Sequence, residues 1–244
     1  MEIGREVVQL GPESVDISGD WLFWAREPSA RLITSLYRLG QVEPVLAVRE
    51  GAAWVLVTGY ARTLALRGMN APVNALEFKG SDTDMGMAYM ASNSGKTLTP
   101  GMKLKAVRFF SNRMKADERR ETVWPHLRID EDSEEWEALK KWLLLPPSYD
   151  EYLFRDLLPL SAGRPLAKFK DNELAALMPV IEVLEMPTED AVSLVTRLYS
   201  AGRAGQDDAA KLIDKHGFYD ILEEDLPAEE KRRRIMDELK GMPG

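Results

Sequence analysis

Residues 35–78, SLYRLGQVEPVLAVREGAAWVLVTGYARTLALRGMNAPVNALEF, decide the fold of the N-terminal part of the chain. Apolar residues at helical spacing lead into this stretch and stop at Gly40, a residue typical of the position after a helix. Two β-prone runs follow, and the five residues between them include a glycine, which predicts a β-hairpin. The successive runs read as helix, strand, strand, helix and strand, at residues 29–39, 45–48, 54–57, 60–67 and 71–78. This order predicts a small mixed α/β domain.

Strand signals almost vanish after Pro100. Apolar residues recur at helical spacing in segments such as 104–114 and 134–145, and segment 227–239 begins with proline and acids, as helices do. The sequence therefore predicts an α+β protein, with a small mixed α/β N-terminal domain followed by an all-helical C-terminal region. The predicted domains are residues 1–98 (α/β), 99–199 (helical) and 200–244 (a helical tail).

Length and composition exclude several classes of protein. The chain has 244 residues, no cysteine and a formal net charge of −8. Without cysteine there are no disulfides, no thiol catalysis and no thiolate metal sites. No apolar run approaches the roughly 18 residues that a membrane span needs, and the first ten residues lack the basic start and apolar block of a secretory signal. We therefore expect a cytoplasmic protein that has no membrane partner.

Patterns typical of catalysis or metal binding are scarce. The two histidines, His126 and His216, lie far apart in the sequence, and no HExxH, GxSxG or complete P-loop pattern occurs. The sequence predicts no catalytic residue and no metal site. Enzymatic activity stays an open question, with a non-enzymatic role favoured.

Charge is segregated within the predicted helical region. Residues 101–120 carry seven lysines or arginines and two acids, whereas residues 130–137 carry six carboxylates and no base. The basic block is either a solvated face or an electrostatic footprint for DNA. The candidate DNA-binding residues are Lys103, Lys105, Arg108, Arg113, Lys115 and Arg119.

Several motifs, taken in order, resemble the N-terminal domain of the ParB family of chromosome- and plasmid-partition proteins. In that family a short helix ends in Gly-Gln, a proline opens a strand, and a hairpin leads to a Gly-Glu-Arg-Arg turn. Gly40-Gln41 and Pro44 match the first motif, and residues 59–62 occupy the turn. Further matches lie at residues 93–100, 145–146 and 160–164. The resemblance implies a ParB/sulfiredoxin-like fold for the first domain and a helix-turn-helix type for the helical region.

The resemblance also implies a nucleotide such as CTP, with magnesium, in an N-terminal cleft. The physical basis is a glycine that lets the backbone approach phosphates, helix N-terminal amides, and guanidinium groups that fork onto phosphate oxygens. This chain keeps Gly59 and Arg62 but has Tyr60 in place of the acid and Ala61 in place of an arginine. We therefore expect weaker binding, or binding that uses Lys96 as a point charge; alternatively, Arg62 is a surface residue paired with a carboxylate. The resemblance assigns to the cleft Gly40, Gln41, Pro44, Gly59, Tyr60, Arg62, Asn93 and Lys96.

The segment equivalent to the recognition helix of the family is acidic. By spacing it is residues 133–141, and its first turn holds Glu134, Glu135 and Glu137. Carboxylates at this position repel the phosphate backbone, so we expect little base discrimination and DNA contact mainly through the basic block.

Three functions follow from this sequence. The first is a ParB-like DNA-associated protein, in partition or transcriptional regulation, with weak nucleotide binding in the cleft. The second is a ParB-fold protein that has lost DNA reading and acts as a protein-interaction or ligand-responsive module. The third is an enzyme such as a weak nucleotidase. Nuclease or redox activity is not expected, because this sequence lacks the residues that related folds use for that chemistry. Expected partners are DNA, a partition ATPase or other protein, and a second copy of the chain.

Overall fold

The computed structural model describes residues 1–184, 186, 188–205 and 207–242. The chain forms two compact units, residues 1–98 with 105–129, and residues 99–104 with 130 onward. The first unit extends past residue 98 because Phe109 and Phe110 pack on Phe23, with ring centroids 5.3 and 5.8 Å apart. The division into domains at residues 98 and 199 stays a prediction.

A five-stranded mixed sheet lies in the first unit. Its strands are β1 (Glu2–Leu10), β2 (Val15–Asp16), β3 (Val45–Glu50), β4 (Ala53–Thr58) and β5 (Val73–Lys79), in the spatial order β1-β5-β3-β4-β2. Strands β3 and β4 form the predicted antiparallel hairpin, and β5 is parallel to β3 and antiparallel to β1. The sequence pattern does not predict β1 and β2, because β2 has two residues and β1 buries only Leu10.

Six helices complete the elements of residues 1–129. They are α1 (Ala30–Leu39), α2 (Tyr60–Gly68), α3 (Asp82–Ser92), α4 (Pro100–Ser111), α5 (Ala116–Thr122) and α6 (Trp124–Leu127). Helices α1, α2 and α4 agree with the predicted segments. Helix α3 is not predicted, and it begins at a capping box in which Ser81 and Asp84 bond each other's backbone amides. Those hydrogen bonds hold the pKa of Asp84 below its usual value.

An aromatic cluster fixes α3 in the first unit. The ring of Phe23 meets Tyr89 of α3 nearly edge-on, with centroids 5.9 Å apart, and Tyr89 also contacts Trp24 at 5.4 Å. Gly86 allows this packing, because a Cβ there would lie 2.7 Å from the ring of Phe109. The cluster holds Trp24 and Tyr89 in fixed positions, which matters for the site described below.

The second unit is helical in every described element. Its helices after α4 are α7 (Glu134–Leu143), α8 (Asp150–Phe154), α9 (Gly163–Leu166), α10 (Asp171–Leu184), α11 (Thr188–Gly205), α12 (Ala209–Lys215), α13 (Phe218–Glu223) and α14 (Ala228–Gly241). Trp142 lies fully buried in the core of this unit, and its indole donates to the carbonyl of Leu160 at 2.9 Å. The predicted α+β class, with strands confined to the N-terminal part, is confirmed.

Candidate functional site

A cleft of about 600 Å³ opens in the first unit beside the N-terminus of α2. Its walls come from segments 24–32, 43–44, 58–62 and 89–96. The residues assigned to the cleft by resemblance that do line it are Pro44, Gly59, Tyr60, Arg62, Asn93 and Lys96. Gly40 and Gln41 do not line it. The nucleotide-binding role of all eight stays a prediction, but the fold brings six of them to one cavity.

The N-terminus of α2 is open to the cleft because of Gly59. This residue has φ 96°, and a Cβ there would lie 2.5 Å from Cγ1 of Val45. Only glycine satisfies both conditions. The amide of Thr63 makes the first intrahelical bond, to the Gly59 carbonyl at 2.9 Å, and no side chain caps the helix. The three preceding amides therefore have no partner within the helix, and such amides are suited to an anion.

Arg62 is held on one side of the cleft by the dipeptide Glu43-Pro44. One guanidinium nitrogen lies 3.0 Å from a carboxylate oxygen of Glu43, and the other donates to the Pro44 carbonyl at 3.4 Å. The sequence allowed the alternative that Arg62 pairs with a carboxylate, and the structure contains that ion pair, with Glu43. It places a negative charge directly on the arginine that the resemblance assigns to a phosphate.

Gln41 does not line the cleft, but its side chain contacts the segment that does. Its side-chain amide accepts from the Asn74 amide and donates to the Asn74 carbonyl, both at 2.7 Å, and it also donates to the Glu43 carbonyl at 3.0 Å. These bonds tie the segment after α1 to β5. Gln41 is therefore a positioning residue for Glu43 and Pro44.

Arg26 and Lys96 line the cleft, and neither has an ionic partner among the described residues. Partial desolvation of its ammonium lowers the pKa of Lys96, and the positive charge of Arg26 lowers it further. Within the described part of the chain, neither side chain makes a hydrogen bond or an ion pair. The backbone amide of Lys96 bonds the carbonyl of Asn93 at 2.9 Å, and Asn93 itself is buried at the end of α3. This turn places Lys96 at the cleft.

Trp24 and Tyr89 form an aromatic wall of the cleft. Trp24 is 3% exposed, and its indole Nε1 is buried without a partner among the described residues. Burial strongly raises the pKa of the Tyr89 phenol, although a hydrogen bond from the Trp24 backbone opposes that effect, so Tyr89 is neutral near pH 7. A buried donor that lacks an acceptor costs about 1–3 kcal/mol.

Sequence reasoning missed Arg26, Trp24 and Tyr89 as cleft residues. Arg26 is about 70 residues from Lys96 in the chain, and no spacing rule links the two positions. The one available signal is the dense aromatic run around Phe23, which indicates a packed structure but not a site.

The predicted DNA-binding cations are mostly engaged within the protein. Lys103 is buried and pairs with Glu135 at 2.7 Å. Arg113 pairs with Asp20 and Asp82 at 3.6 and 3.4 Å and lies 4.0 Å over the Phe109 ring. Of the remaining four, Lys105 and Arg108 are half-buried and interact with neighbouring groups. Arg119 donates to the Met114 carbonyl at 2.6 Å. Lys115 is exposed. The electrostatic footprint is smaller than the sequence suggests.

The acids of the segment equivalent to the recognition helix have a local structural role. Ser133 caps α7 by accepting from the Trp136 amide at 3.2 Å, and Glu134, Glu135 and Glu137 lie in the first turn. Negative charge at that end is favourable to the helix dipole. A helix-turn-helix function for this region stays a prediction.

The cleft offers few carboxylates for the magnesium ion that the resemblance implies. Its carboxylates are Glu27 and Glu43, and Glu43 is already paired with Arg62. Across the described residues, no group of three or more acidic or histidine side chains is arranged to hold a metal. A magnesium ion that accompanies a nucleotide takes most of its oxygen ligands from phosphates and water, so magnesium stays a prediction, whereas the cations and amides of the cleft fit a phosphate group.

No protein-family model and no curated protein matches the chain. Among solved structures, it is similar to the C-terminally truncated chromosome-partitioning protein ParB from Caulobacter crescentus complexed to the centromeric parS site. The identity is 17%, the TM-score is 0.37, and the match covers 78% of this chain and 98% of that one.

Two further solved structures are similar at 17% identity. One is the same Caulobacter crescentus protein complexed with CTP-gamma-S, with a TM-score of 0.32 and coverage of 68% of this chain and 94% of that one. The other is a Pnob8-like ParB N-domain, with a TM-score of 0.37 and coverage of 98% and 99%. These structures are of the family that the sequence motifs resemble.

In the described part of the chain, no helix has the length and apolar character needed to cross a bilayer.

Proposed function

We propose that the cleft of the first unit binds a small ligand through a phosphate group, and that the protein is a ParB-like, ligand-responsive module. A nucleotide is the proposed ligand class. The observation that carries the proposal is the pair of cations, Arg26 and Lys96, which line the cleft and have no carboxylate partner among the described residues. Both side chains are exposed to solvent, and two neighbouring positive charges without a carboxylate between them attract an anion.

The geometry beside these cations supports a phosphate in particular. The amides at the N-terminus of α2 form a second set of donors at the same cavity, next to Gly59. A phosphate presents several acceptor oxygens at once, so it can use the backbone donors and the cationic donors together.

The aromatic wall supports a ligand that also carries a planar ring. Trp24 and Tyr89 line the cleft, and the indole Nε1 of Trp24 lacks an acceptor within the described residues. A planar base would pack against the part of these aromatic side chains that faces the cleft. CTP, which the resemblance implies, is one member of this class; we propose the class and not the individual nucleotide.

Calorimetry with the full chain tests this proposal. CMP, CTP, cytidine and inorganic phosphate are titrated with and without magnesium. We expect binding of the phosphorylated compounds and none of cytidine. Arg26→Gln and Lys96→Gln should each weaken binding about tenfold, because each removes a charged donor.

The matched control for these variants is Lys79→Gln, which removes a lysine at the end of β5, outside the cleft lining. It should leave the affinities unchanged. Equal binding of cytidine and CMP, or full affinity in both cleft variants, would contradict the proposal. Nucleotide hydrolysis measured in the same samples tests the nucleotidase alternative.

Association with DNA is the second candidate function, and the exposed Lys115 is the observation that favours it. With Lys105 and Arg108 half-buried nearby in the sequence, about three phosphates are the most that this set can neutralise. The slope of log affinity against log salt should then be about −3 or shallower. A partition ATPase and a second copy of the chain stay predictions that rest on the resemblance.

Fluorescence anisotropy with two unrelated duplexes measures that slope. Lys115→Gln should make the slope shallower by about 1, and it should do so equally on both sequences. Lys103→Gln is the matched control, because Lys103 is buried against Glu135 and should not change the slope. Tight binding to one sequence alone would contradict this view of the basic block.

A further inference from the structure

Glu43 places a negative charge at the open side of the cleft. Its carboxylate lies 3.0 Å from the guanidinium of Arg62, and both residues line the cavity. The side chain of Glu43 is 77% exposed and that of Arg62 is 25% exposed. The carboxylate therefore meets Arg62 from the open side, the side from which a ligand arrives.

Hydrogen bonds hold the backbone of Glu43 in place. Glu43 precedes Pro44, whose ring fixes the local backbone, and its carbonyl accepts from the Gln41 amide that is itself tied to Asn74. Arg62 contacts the same dipeptide twice, through the Glu43 carboxylate and the Pro44 carbonyl. The ion pair therefore joins Arg62 to a segment whose backbone is held against β5, and the Glu43 carboxylate itself is exposed.

The cations of the cleft fall into two kinds. Arg26 and Lys96 lack ionic partners in the described chain, and Arg26 is the charge that depresses the pKa of Lys96. Arg62 already has an anion on it. A ligand with one phosphate can use the unpaired cations and leave the ion pair intact. A ligand with a chain of phosphates must either displace Glu43 or place its extra charge beside it, and both are unfavourable.

We infer that Glu43 is an internal competitor for Arg62, so that the cleft selects a ligand with a single phosphate over a polyphosphate. The inference rests on the proposed function, because it concerns the ligand class of the same cleft. Glu43 acts as a specificity-determining residue: its charge occupies the guanidinium on which additional phosphates would otherwise bind.

The test compares CMP and CTP, without magnesium, on the full-length protein and on Glu43→Gln. We expect the unaltered protein to bind CMP at least as tightly as CTP. Glu43→Gln should raise the affinity for CTP about tenfold and that for CMP no more than about twofold, since one freed guanidinium is worth roughly one charged hydrogen bond. The exposed position of Glu43 makes this variant a mild one for folding, and a thermal melt checks that.

Glu27→Gln is the matched control, because Glu27 also lines the cleft and makes no ion pair in the described residues. It should raise the affinity for CTP relative to CMP by much less than Glu43→Gln does, because only the general effect of charge on the more highly charged ligand remains. Equal shifts in the CTP-to-CMP affinity ratio in Glu43→Gln and Glu27→Gln would show a general charge effect and overturn the inference. No gain for CTP would overturn it as well.

The two proposals fail in different ways. If Glu43→Gln leaves the ratio of the two affinities unchanged while Arg26→Gln loses binding, the selection by Glu43 is wrong and the cleft still binds phosphate. If neither ligand binds the unaltered protein or Glu43→Gln, the proposed function is wrong, and this inference with it.

Discussion

The ammonium of Lys103 lies 2.7 Å from the carboxylate of Glu135, and the lysine is buried in the second unit. One of these residues belongs to the basic block of the sequence and the other to the acidic block that follows it. Their pairing means that the apparent charge segregation is partly neutralised within the protein. Lys103 is therefore a residue of the folded core and is not available to DNA.

The Lys103–Glu135 pair should be coupled in its effect on stability. Glu135→Ala leaves a buried ammonium without its carboxylate, and we expect a loss of about 2 kcal/mol in the free energy of unfolding. Adding Lys103→Met should recover most of that loss, because an apolar chain of similar shape then fills the site. Urea denaturation measures both variants. Lys140→Met, on the exposed face of α7, should stay within about 0.5 kcal/mol, and additive losses in the double variant would contradict the coupling.

Gly59 should tolerate no side chain. Gly59→Ala must adopt φ 96° and must also place its Cβ 2.5 Å from Val45, so we expect a loss of about 3 kcal/mol or more. Gly51→Ala is the matched control, since Gly51 has φ 63° but nothing within 4 Å of a Cβ, and about 1 kcal/mol should be lost there. Thermal unfolding of the two variants separates the steric cost from the backbone cost. Equal losses would mean that Val45 moves aside freely.

Gln41 should matter for stability and for ligand affinity together. Gln41→Ala removes two hydrogen bonds to Asn74 and one to Glu43, and we expect a loss of about 2 kcal/mol. Phosphate affinity should fall as well, because the cleft segment 43–44 is no longer held against β5. Gln9→Ala, exposed on β1, is expected to change neither quantity. An unchanged affinity in a clearly destabilised Gln41→Ala would argue against a positioning role.

Ligand affinity should depend on alkaline pH through Lys96. Its pKa lies below the ordinary value of 10.5, so the ammonium loses its proton at a lower pH than a solvated lysine does. A bound phosphate favours the charged form, so affinity is greatest below that pKa and falls as the pH rises through it. Lys96→Arg keeps its charge and should remove the decline. Titrations between about pH 7 and pH 10 in matched ionic strength measure this, and an identical decline in both proteins would contradict it.

The elements that the sequence predicts are those whose signals are local. The hairpin β3–β4, the start of α2 at Gly59 and the helices after Pro100 follow from turn glycines and apolar periodicity over a few residues. Strand β1 escapes prediction because it pairs along one edge and buries almost nothing, so no apolar alternation marks it. Helix α3 has a local signal only at its start, the capping box of Ser81 and Asp84. Its segment lacks clear apolar periodicity, and packing between Tyr89 and Phe23, which lie far apart in the chain, sets its place.

By itself the sequence determined the α+β class, the succession α1, β3, β4, α2 and β5, and most of the residues at the α2 end of the cleft. Only the tertiary structure decided which charges remain available: it buries Lys103 against Glu135, sets Glu43 on Arg62, and brings Arg26 to Lys96. The physical reason is range. Backbone conformation is governed by neighbours within a turn or two, whereas the state of a charge depends on every group within a few ångströms, wherever in the chain that group lies.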